Sequence, residues 1–155
     1  MELIETLTNS FHIHNNINLY LLEAIAEKHL AEQAVGKGRN VGEQLAHMHN
    51  VRLMWLSASA PELMEGLAKI EKGSFTKKLL GDNLLASGKA IEALLQKCFA
   101  EGRIKGFKPH PAAFLGYLIS HESHHRGQIM LALKLSGHPV DKKVQFGLWE
   151  WGSRG

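Results

Sequence analysis

Four long stretches of the sequence carry apolar residues at the three- and four-residue spacing of an amphipathic helix. Breaks that contain glycine or proline separate them. The spacing predicts helices over about residues 9–33, 40–60, 75–100 and 111–136, with a short connecting helix over 61–70. No run of alternating apolar and polar residues indicates a strand. We therefore expect an all-α chain that folds as an up-down four-helix bundle.

Residues typical of helix ends support these boundaries. Asn40 can cap the second helix, and Glu43 follows three residues later, the spacing of a capping box. Ser74 or Thr76 can cap the third helix. Pro111 suits the first turn of the fourth helix, because its φ is already near the helical value.

The chain length predicts a single domain. A domain of 155 residues can bury a core without disulfides. We assign residues 1–155 to one helical-bundle domain, in which residues 140–155 form a C-terminal tail. The tail contains Leu148, Trp149 and Trp151 and is too apolar to extend into water. We expect it to pack on the bundle or on a partner, and the sequence does not predict its secondary structure.

Composition excludes several classes of protein. Cys98 is the only cysteine, so the chain has no internal disulfide framework and no cysteine-rich zinc module. The net charge of +3 is spread along the chain without a basic stripe, so we expect no nucleic-acid partner. No apolar run approaches the length of a membrane span, roughly 20 residues. The acidic start, Met1 to Glu5, is unlike a signal peptide, and we expect a cytoplasmic protein with no membrane partner.

Histidine is abundant, with ten residues in the chain. His121 and His125 lie one turn apart on the same face of the fourth helix, at a spacing that lets two imidazoles hold one metal ion. Such pairs also occur as ordinary surface or core histidines. A metal site needs a third protein ligand, and His47 on the second helix is a candidate. His49 is rotated about 200° from His47 and faces elsewhere.

The segment from His121 to His125 also matches the His-Glu-x-x-His motif of zinc proteases, in which Glu122 would be the general base. The positions that would carry glycine and histidine in the longer protease motif are Gln128 and Leu131. We therefore do not expect a protease. Glu122 lies about 100° from the ligand face, so we expect a structural or solvent-facing side chain.

Three segments together resemble the DinB/YfiT-like family: Ala46-His47, the following Trp55, and the string from His121 to Gln128, His-Glu-Ser-His-His-Arg-Gly-Gln. The resemblance extends over nearly the whole chain. It implies a four-helix bundle, a homodimer, and one divalent metal ion held by three histidines. Matched by position, these histidines are His47, His121 and His125.

The resemblance also implies a range of activities. Members of the family are described as metal-dependent hydrolases, and some relatives transfer or isomerise small-molecule substrates with a low-molecular-weight thiol such as bacillithiol or mycothiol. Three imidazoles suit several divalent metals, and we expect zinc or nickel. The alternatives are a metal-binding protein without catalysis and a helical interaction protein without metal.

Two residues near the expected ligands are candidates for catalysis. Glu43 lies one turn before His47 and could orient that ring or act as a base, or it could serve only the capping box. Tyr117 lies one turn before His121 and could donate a proton, or it could be an ordinary bundle residue.

The other polar residues of the fourth helix have open roles. His124 could line the edge of the pocket or pack at an interface. Gln128 lies close to the ligand face, and Arg126 points away and could form an ion pair. A stripe of small residues on the back of this helix could pack inside the bundle or form the dimer interface: Gly116, Ser120, Ser123 and Gly127.

The remaining histidines are expected to have no role in the site. His12 and His14 of the first helix could reach the mouth of a pocket, but we expect them to be surface residues. We expect His29, His110 and His138, which lie near helix ends, only to cap helices or to face solvent.

Overall fold

The computed structural model describes residues 2–155, and four long helices dominate it. No strand occurs within this range, which confirms the prediction of an all-α bundle. The helices are α1 (Leu3–Ala24), α2 (Val41–Ser59), α3 (Lys77–Glu101), α4 (Pro111–Leu135) and the short α5 (Lys142–Gly147). None of these helices combines the length and the apolar character needed to cross a membrane.

Side chains cap the starts of α2, α3 and α4. The Asn40 side chain accepts the Glu43 backbone N–H at 2.8 Å, and Thr76 does the same for Leu79 at 3.0 Å. Pro111 opens α4 as expected, and the preceding His110 caps it. Among the described residues the return bond from Asn40 N–H to the Glu43 carboxylate is absent, so only half of the capping box forms.

The first helix differs from its predicted range. It begins at Leu3, because Glu2 and Glu5 form a capping box that starts the helix earlier than Asn9. It ends at Ala24, where Ile25 turns to an extended conformation and is buried in the core. A 3-10 turn over Glu27–Ala31 replaces the last two predicted helical turns. The predicted helix over 61–70 is also shorter, a 3-10 turn over Pro61–Met64.

Two apolar clusters fill the bundle and reveal the direction of each helix. The first contains residues from the end of α1, the start of α2, the start of α3 and the end of α4, for example Leu21, Leu45, Leu84 and Ile129. The second contains the opposite ends of the same helices, for example Phe11, Leu56, Leu95 and Phe114. Therefore α1 and α4 run in one direction, and α2 and α3 run in the other. Helix direction does not alternate through the chain, because α2 and α3 are parallel.

The connection between α2 and α3 has to return along the whole bundle. Its backbone polar groups need partners on the way. The His49 ring Nε2 lies 2.8 Å from the Ala68 carbonyl oxygen, and the Asn50 side-chain amide pairs with both the N–H and the carbonyl of Ile70. Ile70 itself is buried in the first apolar cluster. The polar residues of α2 therefore hold the returning segment in place.

The C-terminal tail packs on the bundle. Leu148 and Val140 join the first apolar cluster. The Arg154 guanidinium lies 3.7 Å from the centre of the Tyr20 ring, and the Asn16 amide donates to the Arg154 carbonyl at 2.7 Å. The end of the tail is thus fixed to the second half of α1.

The two glycines of the small-residue stripe on α4 do not pack inside the bundle. Gly116 and Gly127 are exposed, and a Cβ added at either one would meet no other atom within 4 Å. Of the two expected roles, internal packing is therefore wrong for these positions.

Candidate metal centre

His47, His121 and His125 converge between α2 and α4. Each offers one ring nitrogen, and these three atoms all lie within 4.8 Å of one another. The His121 and His125 Nε2 atoms are 3.1 Å apart, as expected for residues one turn apart on α4. The His47 ring, from the antiparallel α2, is centred 4.6 Å from the His125 ring and 5.5 Å from the His121 ring. The fold therefore brings together the three histidines that the sequence singles out.

A hydrogen bond from α2 orients the His125 ring. Its Nδ1 lies 2.5 Å from the Gln44 side-chain oxygen, and both side chains are buried. An amide oxygen can only accept, so the His125 proton is on Nδ1 and the Nε2 lone pair points toward His121 and His47. Metal ligands are commonly fixed in this manner, with the second ring nitrogen bound to a carbonyl or carboxylate.

The neutral form of all three rings is favoured. Burial lowers the pKa of His47, of His121 and of His125. The pKa of His125 falls to about 4, because burial is reinforced by the neighbouring His121, His47 and His124 rings and by Arg39. At neutral pH the three rings therefore present lone pairs, the form that binds a metal. In addition, the buried Nδ1 of His121 has no hydrogen-bond partner within the described chain.

A cavity of ≈ 260 Å³ opens beside His47. The charged residues of its wall are two acidic and three basic ones: Glu43, Glu71, Arg39, Lys69 and Lys72. Glu43 thus lies where a base could act, as expected for one of its two possible roles. Three basic side chains against two acidic ones give the cavity wall a small net positive charge, which favours anionic ligands.

Tyr117 lies on the other side of the cluster. Its ring stacks on His121 with centres 5.9 Å apart and planes 13° apart. The Tyr117 ring also packs edge to face against Trp55 and at a tilt against Phe107, with similar distances between ring centres. Tyr117 is therefore part of an aromatic wall that supports His121.

A model of the DinB family matches residues 1–144. The chain belongs to the DinB family. A comparison with curated proteins found no significant match. The family match covers both α2 and α4, and so it includes all three converging histidines of this DinB protein.

Other histidines of α2 and α4 lie outside the cluster. His49 is buried and turned toward Ala68, as predicted from its rotation on the helix. His124 is exposed, with its ring 5.1 Å from that of His125. Gln128 is exposed as well, at the rim of a neighbouring cavity that includes Arg39 and Gln44.

Glu122 does not face the histidines. It is 1% exposed, and both carboxylate oxygens accept from Arg52, at 2.8 Å from Nε and 2.6 Å from Nη2. Of its two expected roles, the structural one is right and the solvent-facing one is wrong. The arrangement also excludes the protease interpretation, because a carboxylate bound to a buried arginine cannot serve as base for the cluster.

The Arg52–Glu122 pair forms the centre of a buried polar network. The other Arg52 donors reach the Leu84 carbonyl, Ser87 Oγ and Asn15 Oδ1, so all five N–H groups of the guanidinium have acceptors. Burial alone would raise the pKa of the Glu122 carboxyl, but the Arg52 charge and hydrogen bonds hold it well below its usual range.

Two expectations about this region are wrong. His14 is fully buried rather than on the surface, and its Nε2 lies 3.1 Å from a Glu122 oxygen. Arg126 forms no ion pair within the described residues. It donates to Asn18 at 2.6 Å, and Asn18 donates in turn to Glu122.

Arg52, Gln44 and the role of His14 were not predicted from the sequence. The sequence does carry a signal for the burial of Arg52. Arg52 and Glu122 each lie in the middle of a helix that is otherwise rich in core residues. Charged side chains are almost never fully buried without a partner, so each of the two predicts the other. Nothing local to Gln44 or His14 indicates which side chain of another helix it meets.

Proposed function

We propose that this DinB-family protein binds one divalent metal ion per chain through His47, His121 and His125. The observation that carries the proposal is the convergence of three neutral imidazole nitrogens within 4.8 Å, with the His125 lone pair directed inward by Gln44. Three protein ligands around zinc leave a position open for substrate, as in catalytic rather than structural sites. Zinc or nickel suits three imidazoles.

We further propose that the protein is a small-molecule enzyme, and that thiol-dependent S-transfer is its reaction. When bound, a divalent ion supplies Lewis acidity, which favours the anionic form of a thiol beside it. Arg39, Lys69 and Lys72 would attract an anionic low-molecular-weight thiol into the cavity next to His47. The Tyr117 ring would limit access from the opposite side of His121.

Hydrolysis is the second candidate, and Glu43 favours it. Its side chain borders the same cavity as His47 and lacks the capping bond that would otherwise occupy it. A carboxylate in that position can accept a proton from an attacking water. Glu43→Gln should therefore abolish hydrolysis of small esters or amides, whereas it should leave thiol transfer largely intact.

Elemental analysis of protein purified without a histidine tag tests the metal site. We expect the three-histidine cluster of the wild type to hold about one ion per chain. His47→Ala, His121→Ala and His125→Ala should lose it, whereas His124→Ala, an exposed neighbour on α4, should keep it. Absence of any ion from the wild type after addition of zinc or nickel would overturn the proposal and leave a helical interaction protein.

Paired activity assays test the reaction. Metal-loaded protein is incubated with an electrophilic small molecule and either a low-molecular-weight thiol or water alone. Thiol consumption that needs His47, His121 and His125 supports S-transfer. A metal-bound protein that is inactive with both classes of substrate would favour a binding role without catalysis.

We also propose a two-fold homodimer through the back of α4. The exposed Gly116 and Gly127, with open space above them, would let a second helix approach closely. Ser123→Trp, placed between them, should convert the dimer to a monomer in sedimentation analysis. A wild type that sediments as a monomer would contradict the proposal.

A further inference from the structure

A second group of metal-ligating side chains lies at the end of the bundle, apart from the three-histidine cluster. His29, Glu32 and His138 each offer one ligand atom, and these atoms all lie within 4.8 Å of one another. The His29 and His138 rings stack with centres 4.0 Å apart and planes 14° apart. His138 Nε2 is 3.5 Å from a Glu32 carboxylate oxygen. We expected His29 and His138 only to cap helices or to face solvent. Neither role describes this arrangement.

Backbone hydrogen bonds fix all three residues. His29 lies in the 3-10 turn, where its N–H donates to the Ala26 carbonyl at 2.8 Å. The Glu32 N–H donates to the His29 carbonyl, and the Glu32 carbonyl accepts from the first residue of α2. The three side chains are therefore presented by a backbone that is already ordered, which lowers the entropic cost of binding an ion.

The turn after α4 places His138 against the other two residues. Gly137 has a φ of +80°, which lets the chain reverse so that the His138 N–H returns to the Leu133 carbonyl at 2.9 Å. Ser136 Oγ also lies 3.4 Å from the Gln33 carbonyl oxygen, a second link between the same two segments. The cluster thus spans two parts of the chain that meet only in the folded protein.

The chemistry of these side chains suits a borderline divalent cation. Two imidazoles and one carboxylate form a common zinc ligand set, and a fourth position filled by water fits the partial exposure of the cluster. Ligands of a tetrahedral zinc ion lie about 3.3 Å apart, given bonds of about 2.0–2.2 Å. The two rings are stacked nearly parallel, so they have to rotate apart about their side-chain bonds to direct both lone pairs at one ion; two of the three side chains are half-buried and one is exposed.

We propose that His29, Glu32 and His138 form a second zinc site, which clips the 3-10 turn before α2 to the end of α4. The carboxylate offsets one of the two charges of the ion. Since the segment that begins at Glu32 leads to Arg39, which borders the cavity beside His47, the clip also anchors the connection that carries this cationic residue. The proposal does not depend on the function proposed for the three-histidine cluster.

Zinc stoichiometry, measured by equilibrium dialysis and elemental analysis of tag-free protein, tests this site. We compare the wild type with His29→Ala, Glu32→Gln and His138→Ala. Each variant should bind one zinc ion fewer than the wild type at low zinc, with affinity at the second site reduced by about tenfold or more. The matched control is His12→Ala, because His12 also pairs with a carboxylate, Glu92 at 2.9 Å, but has no second imidazole. It should keep the wild-type count.

The His47→Ala variant separates the two sites. If both sites bind, His47→Ala and His138→Ala each lose one of two ions. If the three-histidine cluster binds none, the wild type holds one ion, which His138→Ala loses and His47→Ala keeps. If His138→Ala and His29→Ala bind as much zinc as the wild type and His12→Ala, the second site does not exist.

Thermal unfolding gives an independent readout. A ligand that binds only the folded state raises the melting temperature. In the His47→Ala background, zinc should raise it, and addition of His138→Ala should remove that increase. An increase that survives the loss of His138 would also overturn the proposal.

Discussion

His121 and Glu122 are adjacent on α4, yet their side chains enter two different polar environments. The Glu122 network is closed: its charge is paired with Arg52, and every guanidinium N–H has an acceptor. The histidine cluster is open: its three ligand atoms lie within 4.8 Å of one another, His47 borders a cavity, and the His121 Nδ1 atom has no partner within the described chain. A satisfied network fixes the arrangement of helices, whereas an unsatisfied one is available to a ligand.

The largest expected effect comes from breaking the closed network. Arg52→Met should lower the free energy of unfolding by about 3–5 kcal/mol, because it leaves the buried Glu122 carboxylate without its main partner. Urea denaturation followed by circular dichroism measures this loss. The matched control is Lys97→Met, which removes a basic residue from the exposed pair with Glu62 and should change stability little. Equal losses in the two variants would contradict the structural role of Arg52.

Mild acid should destabilise the open cluster of the metal-free protein. The pKa of His125 is lowered to about 4, so between about pH 6.5 and 4 the unfolded chain binds a proton at this residue that the folded chain does not. In metal-free protein, stability should therefore fall as pH falls through this window, by at most about 1.4 kcal/mol per pH unit for this group.

The slope of stability against pH in His125→Ala tests this assignment. Measured in the presence of a chelator, the slope between pH 6.5 and 4 should be shallower in the variant than in the wild type. His124→Ala should reduce the slope less than His125→Ala does, because the exposed His124 ring is only one of the smaller contributions that lower the pKa of His125. The Glu122 carboxylate stays ionised through this range, since its pKa is held well below its usual value.

Gln44 should matter for ligand binding at the open cluster. Gln44→Leu removes the acceptor that fixes the proton on His125 Nδ1. We expect zinc or nickel affinity to fall by about 10–100-fold, as is typical for residues that orient a metal ligand. Calorimetric titration measures the change. Gln128→Leu, an exposed glutamine of α4, serves as the control, and an equal loss in both would show that Gln44 does not orient the ring.

The smallest expected effect lies at the edge of the closed network. Ser87→Ala removes one of two acceptors of Arg52 Nη1, and the Leu84 carbonyl remains at 2.9 Å. The free energy of unfolding should fall by only about 0.5–1.5 kcal/mol. A loss as large as that of Arg52→Met would mean that the network acts as a single unit rather than around its ion pair.

Sequence and structure agree best where the information is local. The capping residues Asn40 and Thr76 and the start of α4 at Pro111 were predictable, because each depends on a few neighbouring residues. The pairing of His121 with His125 was predictable for the same reason. The early start of α1 also has a local signal, because Glu2 precedes Glu5 by three residues; only the early end depends on the fold, through the burial of Ile25.

Residue patterns along the chain predict the number of long helices, most of their ends, and which two histidines of α4 share a face. The parallel direction of α2 and α3, the pairing of Glu122 with Arg52 and the contact of His29 with His138 become visible only in the folded chain. Helix periodicity and capping act over three or four residues, so the sequence displays them directly. Contacts between residues far apart in the chain depend on which helices pack together. That choice belongs to the whole core, where burying a charge requires a partner from another helix.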